Sequence, residues 1–265
     1  MMLRLPKDPR WLQIAFLSTF LAFGLGARDF PFWQAPLIFA SCLATQLLCT
    51  RILGIRDTGL LSPLITAFGL TLLLRSGAPW VPPFAAFVAI ASKFFLRIRG
   101  RHFFNPANFG LSVAMLFTPS AWCSPTQWGE SGLYLLWLLG LGLAVAHRAF
   151  RSDASLAFLS SFIALRAARV FYLGQPAPVL IHQLESGSLL LFTFFMVSDP
   201  KTTPQNGKAR IAFACAVAAL AFILQLHFVQ NPIIWALFLC APLTPAFDRL
   251  TPKETRCDAS LSFAH

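Results

Sequence analysis

Charge is scarce in this sequence. Only 12% of the 265 residues are charged and 57% are hydrophobic, with a mean hydropathy of +0.66. Soluble domains carry about 25% charged residues, so a water-soluble globular fold is excluded and a membrane protein is expected. Acid is scarcer still, with ten Asp and Glu against 21 Lys and Arg and a net charge of +11. In a soluble chain that surplus would suggest nucleic acid. In a membrane chain it is topogenic, because basic residues gather in cytoplasmic loops. Tyrosine is nearly absent, two residues beside 28 Phe and seven Trp, which suits lipid-facing helices with a few interfacial anchors. No C-x-x-C pair occurs among the six cysteines, four of which lie inside apolar runs, so a metal site made by this chain alone is not expected. Cys42 and Cys49 share a helix face, which leaves two readings, a cluster shared with a partner subunit and buried packing; packing is expected. The first apolar run lacks a small-residue cleavage site, and no cleavable signal is expected.

What the chain has in quantity is apolar runs. A spanning helix needs about 20 apolar residues, and runs of that kind lie near 11–27, 33–50, 59–75, 79–97, 106–120, 132–148, 153–171, 186–199, 209–227 and 231–247. Lipid cannot satisfy an open backbone, so these are helices. With ten spans and the N-terminus inside, the outer side keeps only Arg28, Arg75, Arg166 and Arg169 among the basic residues. That split sets the orientation. Lys93 is expected to snorkel from a span end to the inner interface. Arg166 and Arg169, three apart, are expected to pair with Glu130 or Glu185. The fold expected is an all-α polytopic membrane protein of about ten transmembrane helices, with both termini cytoplasmic. One transmembrane domain would cover 1–250, and the polar tail 251–265 would be disordered.

Two polar islands break the pattern, "RGRHFFNPANFG" and "FFMVSDPKTTPQNGKARI" (194–211). Each sets a polar residue before proline, Asn105-Pro106 and Asp199-Pro200, and the residue before proline resists the α region. The helix stops there, and its end groups become free for a ligand, as in broken-helix transporters. Breaks near 105 and 200 suggest two inverted five-helix repeats, about 11–120 and 132–247. Taken singly, each island also reads as an ordinary cytoplasmic turn. The grouping favours a site: Asn105 and Asn108 bracket a span start, and Ser198 and Asp199 close a span. Amides offer paired donors and acceptors that suit the edge of a flat heteroaromatic ring. Thr202, Thr203, Lys201 and Lys208 suit a phosphate or ribityl chain. Pro63 and Thr66 begin another span at the same end; for them a plain helix start is the stronger single reading.

These stretches, "SPLITAFGLTLLLR" (62–75), "FFNPANFGL" (103–111), "FFMVSDPKTTPQNGKARI" and the closing "NPIIWALFLCAPLTPAFD" (231–248), resemble the family that holds the B subunit of the sodium-pumping NADH:quinone reductase and the D subunit of the Rnf electron-transport complex. The resemblance implies two inverted five-helix halves. It also implies flavin. Family members carry an FMN joined to the threonine of a Ser-Gly-Ala-Thr motif, but the corresponding loop here, "TPSAWCSPTQWGESG" (118–132), lacks that motif and offers Thr126 as its only central threonine. Covalent FMN is therefore not expected. A non-covalent flavin, riboflavin or FMN, is implied, with Asn105, Asn108, Ser198, Asp199, Thr202, Thr203, Pro63 and Thr66 as its contacts or supports. The function implied is a flavin-associated membrane subunit of a redox complex in the bacterial inner membrane. It would move electrons to other redox subunits, with ion transport as a further expectation, and would not act as a stand-alone catalyst. The alternatives are a channel or small-solute transporter on the same fold and a cofactor-free membrane scaffold.

Overall fold

The computed structural model describes residues 8–26, 31–55, 58–124, 132–148, 151–184 and 186–251. Twelve α-helices are formed among them: α1 Pro9–Gly26, α2 Gln34–Ile52, α3 Leu61–Leu73, α4 Val81–Phe95, α5 Pro106–Phe117, α6 Gly132–Arg148, α7 Ser152–Tyr172, α8 Ala177–Leu184, α9 Gly187–Leu191, α10 Gly207–Leu226, α11 Pro232–Cys240 and α12 Thr244–Leu250. Prolines sit in the first turns of α4, α5 and α11, where a missing N–H costs nothing. Every apolar run read from the sequence falls on helix. The run 186–199 is α9 continued by a π-helical turn, Phe192–Met196, and the run 231–247 is α11, a short 3-10 turn and α12.

The fold is mostly helical, as expected, and four short strands that the sequence did not announce are added: β1 Leu74–Ser76, β2 Arg97–Ile98, β3 Arg101–His102 and β4 Ala121–Cys123. β1 pairs antiparallel with β4 and ties the end of α3 to the end of α5; β2 and β3 form a hairpin. Helix α8 was not foreseen, since its eight residues are too few for a span and none of them is buried.

The protein is a multi-pass membrane protein. Helices Gln34–Ile52, Ser152–Tyr172 and Gly207–Leu226 and the run Pro232–Leu250 are each long and apolar enough to cross a membrane. Ala177–Leu184 and Gly187–Met196 pass the same test together as a bent pair, while α3, α4 and α5 are shorter apolar helices.

Packing follows one scheme twice. In the first half α2 lies on α4, α4 on α5, and α1 on α3; in the second α7 lies on α10, α10 on α11, and α6 on α9. α5 and α11 then meet each other. Small residues allow the closest approach. A Cβ on Gly110 would lie 2.4 Å from the Ala85 carbonyl oxygen and 2.6 Å from Ala89 Cβ, so α5 rests directly on the backbone of α4. Around these contacts the core is aromatic and aliphatic, with Phe20, Phe158, Phe192 and Phe213 fully buried. Arg75, buried in β1, donates to the carbonyls of Thr71, Leu72 and Leu74 at 3.1, 3.2 and 2.9 Å. It thereby caps the open C-terminal end of α3, where carbonyls lack helical partners.

Candidate functional site

The break before α5 is built by a cap. Asn105 is extended (φ −65°, ψ 123°), and its Oδ1 accepts the Asn108 N–H at 3.1 Å, which satisfies one of the free amides of the first turn. The other end of the same amide faces outward from the helix. Its Nδ2 donates to Asp199 Oδ2 at 3.3 Å, across 94 residues. The two proline-marked breaks therefore meet, one from each half.

On the far side, Asp199 follows the π-helical turn by three residues and organises the chain beyond it. Its Oδ1 accepts the Lys201 N–H at 3.0 Å, and its carbonyl accepts the Thr203 hydroxyl at 2.8 Å. Ser198 donates back to the Phe194 carbonyl. Asn108, 1% exposed, donates its Nδ2 to Ile234 O in the first turn of α11 at 3.0 Å. Thr202 contributes its carbonyl, which accepts Thr244 Oγ1 at 3.0 Å. Six of the eight candidate residues are thus gathered in one clasp: Asn105, Asn108, Ser198, Asp199, Thr202 and Thr203. Pro63 and Thr66 stay on α3, where Thr66 Oγ1 donates one turn back to Ser62 O. Ala107, in the first turn of α5, lies against Gly69, one turn beyond Thr66 on α3.

Sequence reasoning missed the groups that lock this clasp. Arg101, on β3, donates through Nη1 to Asp248 at 2.8 Å and through Nη2 to the carbonyls of Lys201 and Thr203 at 2.8 and 3.2 Å. Asp248 also accepts the Gln205 N–H at 2.8 Å. The planar fork of arginine suits this multiple reading. A signal existed: Asp248 is one of only ten acids and closes an apolar run. Arg210 grips Asp153 through Nε at 2.9 Å and through Nη2, and its side chain is 9% exposed. This pair pins the start of α10 to the start of α7.

Lys93 corrects another expectation. It does not snorkel to water. Its side chain is buried, and Nζ donates to Gln46 Oε1 at 3.1 Å, while Gln46 Nε2 donates to Thr58 O at 2.7 Å. A buried polar side chain that finds such a partner need not reach the interface. Beside it, burial pushes His102 down to about 4, and Lys93, Lys201 and Arg97 push the same way against the pull of Asp199. The imidazole is neutral at pH 7. Thr126, Glu130, Glu185 and the tail 252–265 lie outside the described residues, and Arg166 is seen stacked over Phe162 at 5.7 Å. Cys42 and Cys49 are buried in α2.

The clasp leaves little room for a flat ring to be read by its amides. Both ends of the Asn105 amide and the Asn108 Nδ2 are already engaged, and the Ser198 and Thr203 hydroxyls bond to their own segment. The open space next to the clasp is a cleft of about 190 Å³, lined by Arg99, Arg101, His102, Lys201, Thr244 and Asp248 among others. The residues read from the sequence as flavin contacts are engaged with one another, with α11 or with their own segment. They hold the halves together.

Comparison with known proteins agrees on kind. The profile of the NQR2, RnfD, RnfE family matches residues 125–256. A component of the ion-translocating oxidoreductase complex of Tolumonas auensis, its D subunit, is 28% identical over 157 residues, which cover 58% of this chain and 44% of that protein. The matched stretch is thus less than half the length of that relative.

Proposed function

The chain belongs to the NQR2, RnfD, RnfE family, and from that premise we propose that it is a membrane-embedded subunit of an ion-translocating oxidoreductase complex. The observation that carries the reading is the clasp. Two helix breaks in opposite halves are joined by Asn105 and Asp199 and locked by Arg101 and Asp248, which makes one end of the bundle a fixed platform. Rigid placement is what an electron-transfer subunit supplies, because the protein's share of redox work is to hold, orient and insulate a cofactor that does the chemistry. The partners in this reading are the other redox subunits of the complex.

Two inverted five-helix halves, 11–120 and 132–247, belong to the same proposal and are supported by the packing scheme that occurs twice. The clasp end carries Arg99, Arg101, Lys201, Lys208 and Arg210 and is assigned to the cytoplasmic face of a bacterial inner membrane, with both termini on that side. A non-covalent flavin, riboflavin or FMN, is proposed on the likeness to the family alone. The clasp residues are occupied with one another, so its ring would not be read by Asn105 and Asn108. A cofactor-free scaffold is the second reading, and the self-satisfied clasp favours it over a channel, since no open polar path runs through those groups.

The test is affinity purification from native membranes in mild detergent, followed by an absorbance spectrum before and after acid precipitation. Redox subunits should co-elute, and yellow colour should pass into the acid supernatant. Colour retained on the precipitate would mean a covalent flavin. A colourless complex with intact helicity would leave the scaffold reading. Recovery of the chain alone would overturn the assignment to a complex.

A further inference from the structure

The cleft beside the clasp has a chemistry of its own, independent of whether a flavin is bound. Its rim is the β2–β3 hairpin, whose two-residue turn is Arg99-Gly100 between the pairs Ile98↔Arg101 and Arg97↔His102. Both turn residues have positive φ, 54° at Arg99 and 78° at Gly100, the pattern of the tight turn that matches strand twist. That turn favours Asn, Asp or Gly at its first position, and a left-handed arginine there is uncommon. An unfavourable residue at a turn tip is a reason to look at what its side chain does. Arg99 is exposed and lines the cleft.

Lys201 is also exposed and lines the same cleft. Among the described residues neither Arg99 nor Lys201 makes a salt bridge. Arg101 lines the floor, and Asp248 is already engaged by it. Three cations thus face one carboxylate. A group with two negative charges and several acceptor oxygens balances that surplus and suits arginine's donors. The volume fits too: about 190 Å³ has room for several waters, enough for a tetrahedral group and the start of its ester. Apolar side chains also line the cleft, among them Phe103 and Ile98, the latter 37% exposed. Basic pockets at the cytoplasmic ends of membrane helices take phosphorylated headgroups.

We propose that the cleft between the β2–β3 hairpin, the segment after Asp199 and α12 is a phosphate-binding site, with Arg99 and Lys201 as the recruiting cations and Arg101 as its positioned floor. The phosphate comes from an anionic phospholipid headgroup or from a soluble phosphate, and one experiment separates the sources. Arg101 is left intact, because it holds the clasp. The full chain is delipidated in uncharged detergent as wild type, as Arg99→Gln/Lys201→Gln, as Arg99→Gln alone, and as Arg148→Gln, an exposed basic control on α6. Retention of phosphatidylglycerol against phosphatidylcholine is read by native mass spectrometry, and binding of inorganic phosphate by calorimetry. The double variant should lose about tenfold or more in affinity, the single variant less, and the control nothing. A difference in the phosphatidylglycerol arm alone identifies a lipid, and a difference with inorganic phosphate identifies a soluble ligand. If neither arm separates wild type from the cleft variants, or if Arg148→Gln falls equally, the site does not exist.

Discussion

Two helices of this chain begin with the same dipeptide and use it differently. At α5, Asn105 before Pro106 is extended, caps the helix, and reaches across to Asp199. At α11, Asn231 before Pro232 is left-handed (φ 54°), makes no side-chain cap, and touches only the sulfur of Met115 at 3.7 Å. Five residues on, the helices differ again: α5 has Gly110 pressed on the backbone of α4, while α11 has the fully buried Ala236. One asparagine joins the halves through a carboxylate, while the other reaches across only to a thioether sulfur, a weak acceptor. A motif letter therefore does not carry a role, and the backbone region in which the residue is held decides which way its amide points.

The comparison can be broken by making α5 like α11. Gly110→Ala places a methyl 2.4 Å from a carbonyl oxygen and should cost about 3 kcal/mol, the upper end for overpacking, seen as a lowered midpoint of thermal unfolding in detergent. Gly140, with open space around it, is the control, where the same change should be neutral or stabilising by up to about 1 kcal/mol. Asn105→Ala should cost about 2 kcal/mol, combining a lost cap with a lost bond to a carboxylate. A double-mutant cycle with Asp199→Ala should show coupling of about 1 kcal/mol. No coupling would dissolve the clasp.

A pH series sharpens the same contrast, because among the described residues only the α5 side carries a half-buried imidazole. Above its ordinary value of 6.5, His102 is neutral folded and unfolded and adds nothing. Below 6.5 the unfolded chain takes up the proton first, since the folded group waits until about 4. Stability should therefore fall as pH drops from 6.5 towards 4, by about 3 kcal/mol at most. His102→Gln should flatten that slope. The smallest effect is expected at the other helix: Asn231→Gly keeps the left-handed backbone and should change stability by no more than about 0.5 kcal/mol.

The helices were legible because hydropathy over some twenty residues is a collective signal that no single contact overrides. The two breaks were legible because proline acts on its neighbour's backbone directly. What lay hidden was direction. An amide that can read a ligand edge can equally read a carboxylate on the other half, and Asn105 and Asp199 satisfy each other. Lys93 shows the same limit: its stem is long enough to reach water, but Gln46 on another helix supplies a partner inside. Arg101 stood within the polar island and Asp248 at the end of the last run, yet 147 residues separate them, and only the fold puts the pair together.

The π-helical turn Phe192–Met196 carries a further consequence. Val197 N–H donates to Phe192 O at 3.0 Å, five residues back instead of four, so the segment holds one residue more than an α-helix of that span. Each residue advances a helix by about 100°, and the surplus shifts the angular phase of everything after it, Asp199 included. Deleting one residue, Phe195 for instance, would restore ordinary winding and swing that carboxylate roughly a quarter-turn from Asn105. The bond between the halves is thus kept by counting as much as by chemistry.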